Sequence, residues 1–395
     1  MVCSFHTRVP KCTLQRYLFG IYKLALSPHI ILSLNAFVTC AVRAKKLYQL
    51  KIVAAFLRHN YKFCIPLYTM NDDNSTPLTV SVVMCTYNGK QFLREQMDSI
   101  LAQDYPLHEI IVQDDRSTDD TWDILQTYAK AHPGLFKLFR NDEQLGFNRN
   151  FHTALLRATG EYVAISDQDD IWFPQKISKQ VAAIGNADLC FSDYYTDLHY
   201  TLPLHNYVSP RTDFEHMLFY DCTPGHSMLL RTDFVKGIKL WNYDIYYDWW
   251  LSMHAQMGHG LVKVDEALNW HRHYDGSATT HVYRKGFYEA VPHPTWQPYA
   301  WGTLHRLHLQ RKRNYRFFYT YLAQHIDRRK HPVPARIARL MLRRCPFAVL
   351  ELCLICAKYY DRIYPGRPRG LKGRIRGFFY PLISAYGNDL FKLEK

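Results

Sequence analysis

No aspartate or glutamate occurs in the first 70 residues, a stretch that carries ten lysines and arginines. That absence excludes carboxylate chemistry, whether acid–base or metal-binding, from a basic N-terminal extension. A long uncharged apolar run is also missing. The best candidate, "YLFGIYKLALSPHIILSLNAFVTCAV" (17–42), is interrupted by Lys23, Pro28, His29 and Asn35, whereas a span needs about twenty nearly uncharged residues. It also lacks the layout of a signal peptide with a small-residue cleavage site. Ten cysteines are scattered, and only Cys353 and Cys356 form a CxxC. Without a second pair they do not make a four-ligand zinc site and read as buried free thiols in a reducing compartment. No helix-turn-helix, RNA-binding sheet or zinc-finger pattern is present, so the basic flanks do not argue for nucleic acid. No Gly-rich phosphate loop is present either, which disfavours a nucleotidyltransferase.

What the chain does have is a folded composition, 48% hydrophobic and 15% aromatic over 395 residues, and an uneven distribution of charge. Residues 281–395 hold 23 Lys and Arg against 6 Asp and Glu, while residues 71–280 are net acidic, 16 against 29. An acidic centre suits a site that handles cations; basic arms suit a polyanion or an anionic membrane.

From Thr79 apolar β-branched runs alternate with amphipathic stretches. "TVSVVMCTY" (79–87), "EIIVQDD" (109–115), "LFKLFRN" (135–141) and "YVAISD" (162–167) read as strands. "KQFLREQMDSILAQ" (90–103), "TDDTWDILQTYAKAH" (118–132) and "FNRNFHTALLRA" (147–158) read as helices. This alternation predicts a parallel sheet covered on both faces, with any ligand at the carboxyl ends of its strands. Three of those ends are polar: Thr86–Tyr87–Asn88, Asp114–Asp115, and Asp167–Gln168–Asp169. The last belongs to "YVAISDQDDIW", where Asp167, Asp169 and Asp170 fall within four positions. Carboxylates this close raise one another's pKa unless a cation or strong donors compensate. A polar turn followed by a helix N-cap explains the same letters.

Taken together, "VSVVMCTYNG", "EIIVQDDRSTDDT", "NFHTALLRATGEYVAISDQDDIW" and "YYDWW" resemble, in order and spacing, the family 2 glycosyltransferases. The "SDQDDIW" version looks most like their bacterial rhamnosyltransferase-like branch. The resemblance spans roughly residues 79–280. It implies an α/β GT-A (nucleotide-diphospho-sugar transferase) fold, a mostly parallel sheet flanked by helices, followed by a basic helical extension over 281–395. Members commonly begin as the chain does after Met70, so residues 1–70 are either a membrane-associating arm or an extension from a mis-set start.

The resemblance also implies roles. Thr86, with Tyr87 beside it, and Asp115 hold the nucleotide's base and ribose, while Asp114 orders the loop; a carboxylate accepting from an imide N–H or a ribose hydroxyl is sound chemistry. Arg116 departs from the Gly or Asn usual there, which bears on the loop's shape. Asp169, and next Asp167, match the DxD motif that holds Mg²⁺ or Mn²⁺ against the donor diphosphate, leaving Asp170 as N-cap of the following helix. Asp248 in "YYDWW" matches the base that takes the acceptor hydroxyl's proton; a plain N-cap is the competing reading. Trp249 and Trp250 either stack on a sugar or belong to the core. "CTPGHSM" places Gly225, His226 and Ser227 on the acceptor and diphosphate side. "NWHRHYDGSATT" offers Arg272 and His273 as phosphate donors in a closing loop.

No QxxRW follows Asp248, which together with the lack of strong spans excludes a processive membrane synthase. The resemblance implies an inverting, metal-dependent transfer of one hexose or deoxyhexose from a UDP- or dTDP-sugar. The expected acceptor is a glycan or polyprenyl-linked precursor of cell-surface polysaccharide. Apolar residues interleaved with arginine beyond residue 283 suit an interfacial helix on anionic lipid, and the expected location is cytoplasmic, peripheral at the inner face of the plasma membrane. The alternative is a non-catalytic, GT-A-like, membrane-associated scaffold or binding protein.

Overall fold

The computed structural model describes residues 78–273, 297–364, 370–386 and 391. The chain divides into two units, residues 1–75 and 76–395; the N-terminal extension and residues 274–296, which include the second half of the expected closing loop (269–280), lie outside the described residues. The expected alternation is observed: β1 (Val80–Thr86), α1 (Leu93–Leu101), β2 (Glu109–Asp114), α2 (Thr121–Ala131), β3 (Phe136–Arg140), α3 (Phe147–Leu156) and β4 (Tyr162–Ser166). Then come β5 (Ile171–Trp172), α4 (Lys176–Ile184), β6 (Leu189–Asp197), β7 (Tyr207–Val208), α5 (Phe214–Met217), β8 (Leu229–Arg231) and α6 (Thr232–Gly237). α7 (Tyr247–Met257) and β9 (Leu261–Arg272) complete the sheet region. The basic C-terminal part is helical: α8 (Gln297–Leu309), α9 (Arg313–His325), α10 (Pro332–Met341), α11 (Pro346–Lys358), α12 (Tyr360–Ile363) and α13 (Gly370–Tyr386).

The strand order is β3-β2-β1-β4-β8-β6-β9-β5, with β7 on β6. The first four strands are parallel; at β8 the direction reverses and the sheet becomes mixed. Because β2, β1 and β4 are neighbours, their polar ends meet at one edge, which is where parallel strands present a ligand crevice. Side-chain alternation sends Val80, Val82 and Met84 to one face, against Leu93, Met97, Ile100 and Ile177. Val83, Val163 and Ile165 go to the other, against Phe151, Leu155 and Leu251. Burial on both faces explains why these strands read as continuous apolar runs.

α7 is buried all round. Tyr247, Leu251 and Ala255 face the sheet, while Trp249, Trp250 and Met253 face a second core built from Met217, Leu218, Tyr315, Phe318 and Leu322. The C-terminal helices therefore share a core with the element that carries Asp248. Cys353 and Cys356 are buried free thiols, as expected.

Candidate active site

The loop after β2 is organised by Asp114. Its buried carboxylate accepts from Thr86 Oγ1 at 2.9 Å, the Ser117 amide at 2.9 Å and Ser117 Oγ at 2.5 Å, with Arg140 Nε at 3.4 Å. Thr86, expected against the nucleotide, thus spends its proton on Asp114. Arg116 sits at φ +63°, in the left-handed region that Gly or Asn enters most cheaply; the loop keeps its shape and Arg116 carries the strain. Asp115 accepts from Leu145 N (2.7 Å), Gly146 N (2.8 Å) and Asn141 Nδ2 (2.7 Å). Those three donors leave one of a carboxylate's roughly four acceptor positions for a ligand. Half-exposed Tyr87 is tied to the end of β4: the Gln168 amide accepts from Tyr87 N at 2.9 Å and donates to its carbonyl at 3.1 Å. A Cβ on Gly89 would meet that amide, so a larger residue there would displace the Gln168 side chain from Tyr87.

The three carboxylates after β4 differ. Burial, then the charges of Asp170 and Asp169, raises the pKa of Asp167 well above the ordinary value; the charge of Asp248 adds to it. Asp169 is 8% exposed, and its carbonyl accepts from Arg272 Nε at 2.9 Å. Asp170 is fully buried and is not a helix N-cap: a short strand intervenes and Gln175 caps α4. The Asp170 carboxylate instead meets His271 Nδ1 at 2.9 Å and the Arg272 amide at 3.2 Å. His226 Nδ1 lies 3.6 Å away, and its ring stacks on His271 at 4.4 Å.

Among the described residues, Asp170, His226 and His271 are the group close enough to chelate an ion, all ligand atoms lying within 4.8 Å of one another. Burial lowers the pKa of His226 to about 3. Burial also pulls His271 down, but Asp170 outweighs it and raises His271 to about 9. Asp170 and His271 form a buried ion pair that ties β5 to β9, with His226 beside it.

Asp248 stands in the first turn of α7, with Tyr246 at the N-cap. Asn148 on α3 accepts from the Tyr247 amide at 3.0 Å and donates to the Tyr243 carbonyl at 2.7 Å, satisfying an N–H that a helix start leaves open. Asp248 accepts from the Gly225 amide at 3.3 Å and the Trp249 amide at 3.0 Å. Burial raises its pKa, partly offset by a hydrogen bond with Asp221. Asp221 is itself pushed well up by burial and by Asp248, so the two buried carboxylates act on each other. A Cβ on Gly225 would run into the Tyr247 ring.

Three expected contacts are corrected. Trp249 is fully buried, its indole N–H donating to the Met217 carbonyl at 2.7 Å and its ring 4.1 Å from Phe318. It belongs to the core because that position faces the C-terminal helices, not an acceptor. His226 is 3% exposed and its Nδ1 accepts from the Asn269 side-chain amide at 2.9 Å, so its ring is held inside the protein. Arg272 is 7% exposed, pairs with Glu95 at 2.5 Å and lies over Phe92 at 4.1 Å, so in this structure its charge braces the Asp169 loop. His273, whose amide donates to the Asp197 carbonyl at 2.9 Å, is the last described residue before the loop.

Sequence reasoning missed Asp221, Gln168 and His271. Asp221 sits directly before "CTPGHSM", a carboxylate ahead of a tight turn, and His271 lies inside the motif already noted. Each was visible as a polar residue beside a recognised segment, but its partner is distant in sequence.

The family model described as "Glycosyl transferase family 2" matches residues 81–232. An uncharacterized glycosyltransferase of Haemophilus influenzae is 31% identical over 228 residues, 52% of this chain and 68% of that protein. The Escherichia coli UDP-Glc:alpha-D-GlcNAc-diphosphoundecaprenol beta-1,3-glucosyltransferase WfaP is 32% identical over 162 residues, 40% of this chain and 63% of WfaP. Other curated relatives are spanned over as little as 30% of their length. Staphylococcus aureus TarS 1-349, solved in complex with UDP-GlcNAc, covers 78% of this chain and 91% of its own at 17% identity and a TM-score of 0.48; a likeness so distant says nothing of this chain's substrate. The half-parallel, half-mixed sheet with helices on both faces is the GT-A fold, and the chain belongs to glycosyl transferase family 2.

Proposed function

We propose that the chain is an inverting, metal-dependent glycosyltransferase that moves one sugar from a UDP- or dTDP-sugar to a glycan or polyprenyl-linked acceptor. The observation that supports this best is the meeting of Asp115, Asp167 and Asp169 at the ends of neighbouring strands, with the charge of Asp248 felt at Asp167. Residues 79–280 form the catalytic part and 281–395 the helical extension that buttresses α7. The reading of an acceptor carried on a lipid diphosphate draws support from the name of WfaP, and places the enzyme at the inner face of the plasma membrane. Among the described residues no helix is long and apolar enough to cross a membrane.

Asp167 and Asp169 fit a divalent cation: they are hard oxygen donors, and burial together with the charges of Asp170 and Asp169 raises Asp167 against the opposing charge of His271. When bound, Mg²⁺ or Mn²⁺ would neutralise charge on the departing nucleoside diphosphate. Asp115 retains an acceptor position for a base or ribose donor. Asp248 would accept the acceptor hydroxyl's proton, and burial raises its pKa above the ordinary carboxylate value, the direction that suits a base. One base and direct displacement invert the anomeric centre.

The test is Asp248→Asn, assayed separately for donor binding and for transfer. Transfer should fall by at least about a thousandfold, the worth of a positioned base, with donor affinity within about threefold. Equal loss of both would assign Asp248 a structural role and remove the basis of the mechanism.

A further inference from the structure

Eight of the seventeen exposed large apolar side chains of the described residues lie on α8, α11 and α13. These three helices form only a small part of the chain, so the concentration calls for an explanation. On α11, Phe347 (81% exposed), Leu350 (49%) and Leu354 (55%) follow the i, i+3, i+7 spacing of one helical face, and exposed Lys358 continues it. On α13, Leu371 (74%) and Ile375 (51%) stand one turn apart. At about 100° per residue, Arg374 falls on one side of that pair and Lys372 and Arg376 on the other; all three cations are exposed. α13 contains no acidic residue.

These helices are held together by backbone contact. A Cβ on Gly377 would meet the Cys356 carbonyl of α11 at 2.5 Å, and one on Gly302 of α8 would meet the Leu382 carbonyl of α13 at 2.5 Å. The inner faces, including Leu352, Cys353, Cys356, Gly373, Gly377 and Tyr380, are buried. The outward faces are therefore fixed in orientation by packing, and their apolar content cannot be relieved by turning inward.

We propose that the outward faces of α11 and α13 dock on an anionic lipid bilayer, the apolar side chains entering the headgroup region and the flanking cations meeting lipid phosphates. Charge complementarity selects this occupant: an aliphatic and aromatic stripe bordered by Lys and Arg, without acids on α13, is the pattern of an interfacial helix. The single carboxylate of α11, Glu351, is paired with Arg336. The proposal deepens the reading of a lipid-linked acceptor by naming the surface that brings the enzyme to it.

The full chain is sedimented with vesicles of phosphatidylcholine alone and of phosphatidylcholine containing about one-third phosphatidylglycerol, at low and high salt. Binding to the anionic vesicles, weakened by salt, is expected. Lys372→Gln/Arg374→Gln/Arg376→Gln should weaken it by about a hundredfold, and Leu371→Ser/Ile375→Ser by at least about tenfold. Both sets are on the surface and should leave the thermal midpoint and the release of nucleoside diphosphate with a water-soluble acceptor unchanged. Equal binding to neutral and anionic vesicles, absence of binding, or variants that bind like the parent would overturn the proposal. So would a dimer in solution that Leu371→Ser/Ile375→Ser splits, since that assigns the face to a second copy. Vesicle binding without transfer would leave the docking face intact and count against the enzymatic reading; transfer without vesicle binding would do the reverse.

Discussion

Asp167, Asp169 and Asp170 are one residue type within four positions, yet their partners give them different states. Asp170 is paired with His271 and accepts from the Arg272 amide, while burial and the charges of Asp170 and Asp169 outweigh His271 at Asp167. The pairing needs side chains about a hundred residues apart in sequence, which is why the letters alone suggested a helix cap. The same reasoning explains Glu109, at the opposite end of β2. It is 1% exposed and meets Lys137 Nζ at 2.5 Å, Ser81 Oγ at 2.6 Å and the Thr159 amide and hydroxyl at 2.7 Å. Burial alone would raise its pKa, but these partners lower it from 4.5 to about 2. The folded form therefore binds the proton more weakly than the unfolded chain. Its stabilisation is complete above about pH 4.5 and is lost as pH falls toward about 2. Glu109→Gln should cost about 1–3 kcal/mol at neutral pH and flatten the acid limb of the stability curve, measured by urea unfolding between those pH values. A curve parallel to that of the parent would show that the carboxylate is not held as described.

At the scale of elements, α7 was legible as a helix, and its carboxylate as the candidate base, but its surroundings were not. Asp248, Ser252 and Gln256 mark a polar side of α7, but the letters do not say what Trp249 and Trp250 meet on the others. Only the C-terminal helices decide that both rings are core. β1, β2 and β4 were legible because double burial writes continuous apolar runs; the reversal at β8 was not, since three residues leave too little pattern. Gly377 marks a helix contact in the same silent way. Gly377→Ala should raise intrinsic helix propensity by about 1 kcal/mol, yet destabilise the protein by about 1–3 kcal/mol overall, because the added methyl meets backbone. Thermal melting of the full chain reads the sign; a higher midpoint would mean that α11 and α13 are not packed this closely.

Over the whole molecule, charge and chemistry are divided as the sequence divides them: an acidic sheet whose strand ends gather the carboxylates, and a basic helical part that buries α7 on its inner side and presents apolar stripes outward. Composition alone made the division visible, but not that Asp248 sits on the element shared by both parts. The central claim is that the strand-end carboxylates act on a nucleotide sugar through a divalent cation. Release of nucleoside diphosphate from a panel of UDP- and dTDP-sugars, with Mn²⁺ or Mg²⁺ and then with EDTA, tests it most directly. The account predicts release from at least one donor, abolished by EDTA and reduced by at least about a hundredfold in Asp169→Asn; release indifferent to both EDTA and Asp169→Asn would contradict it.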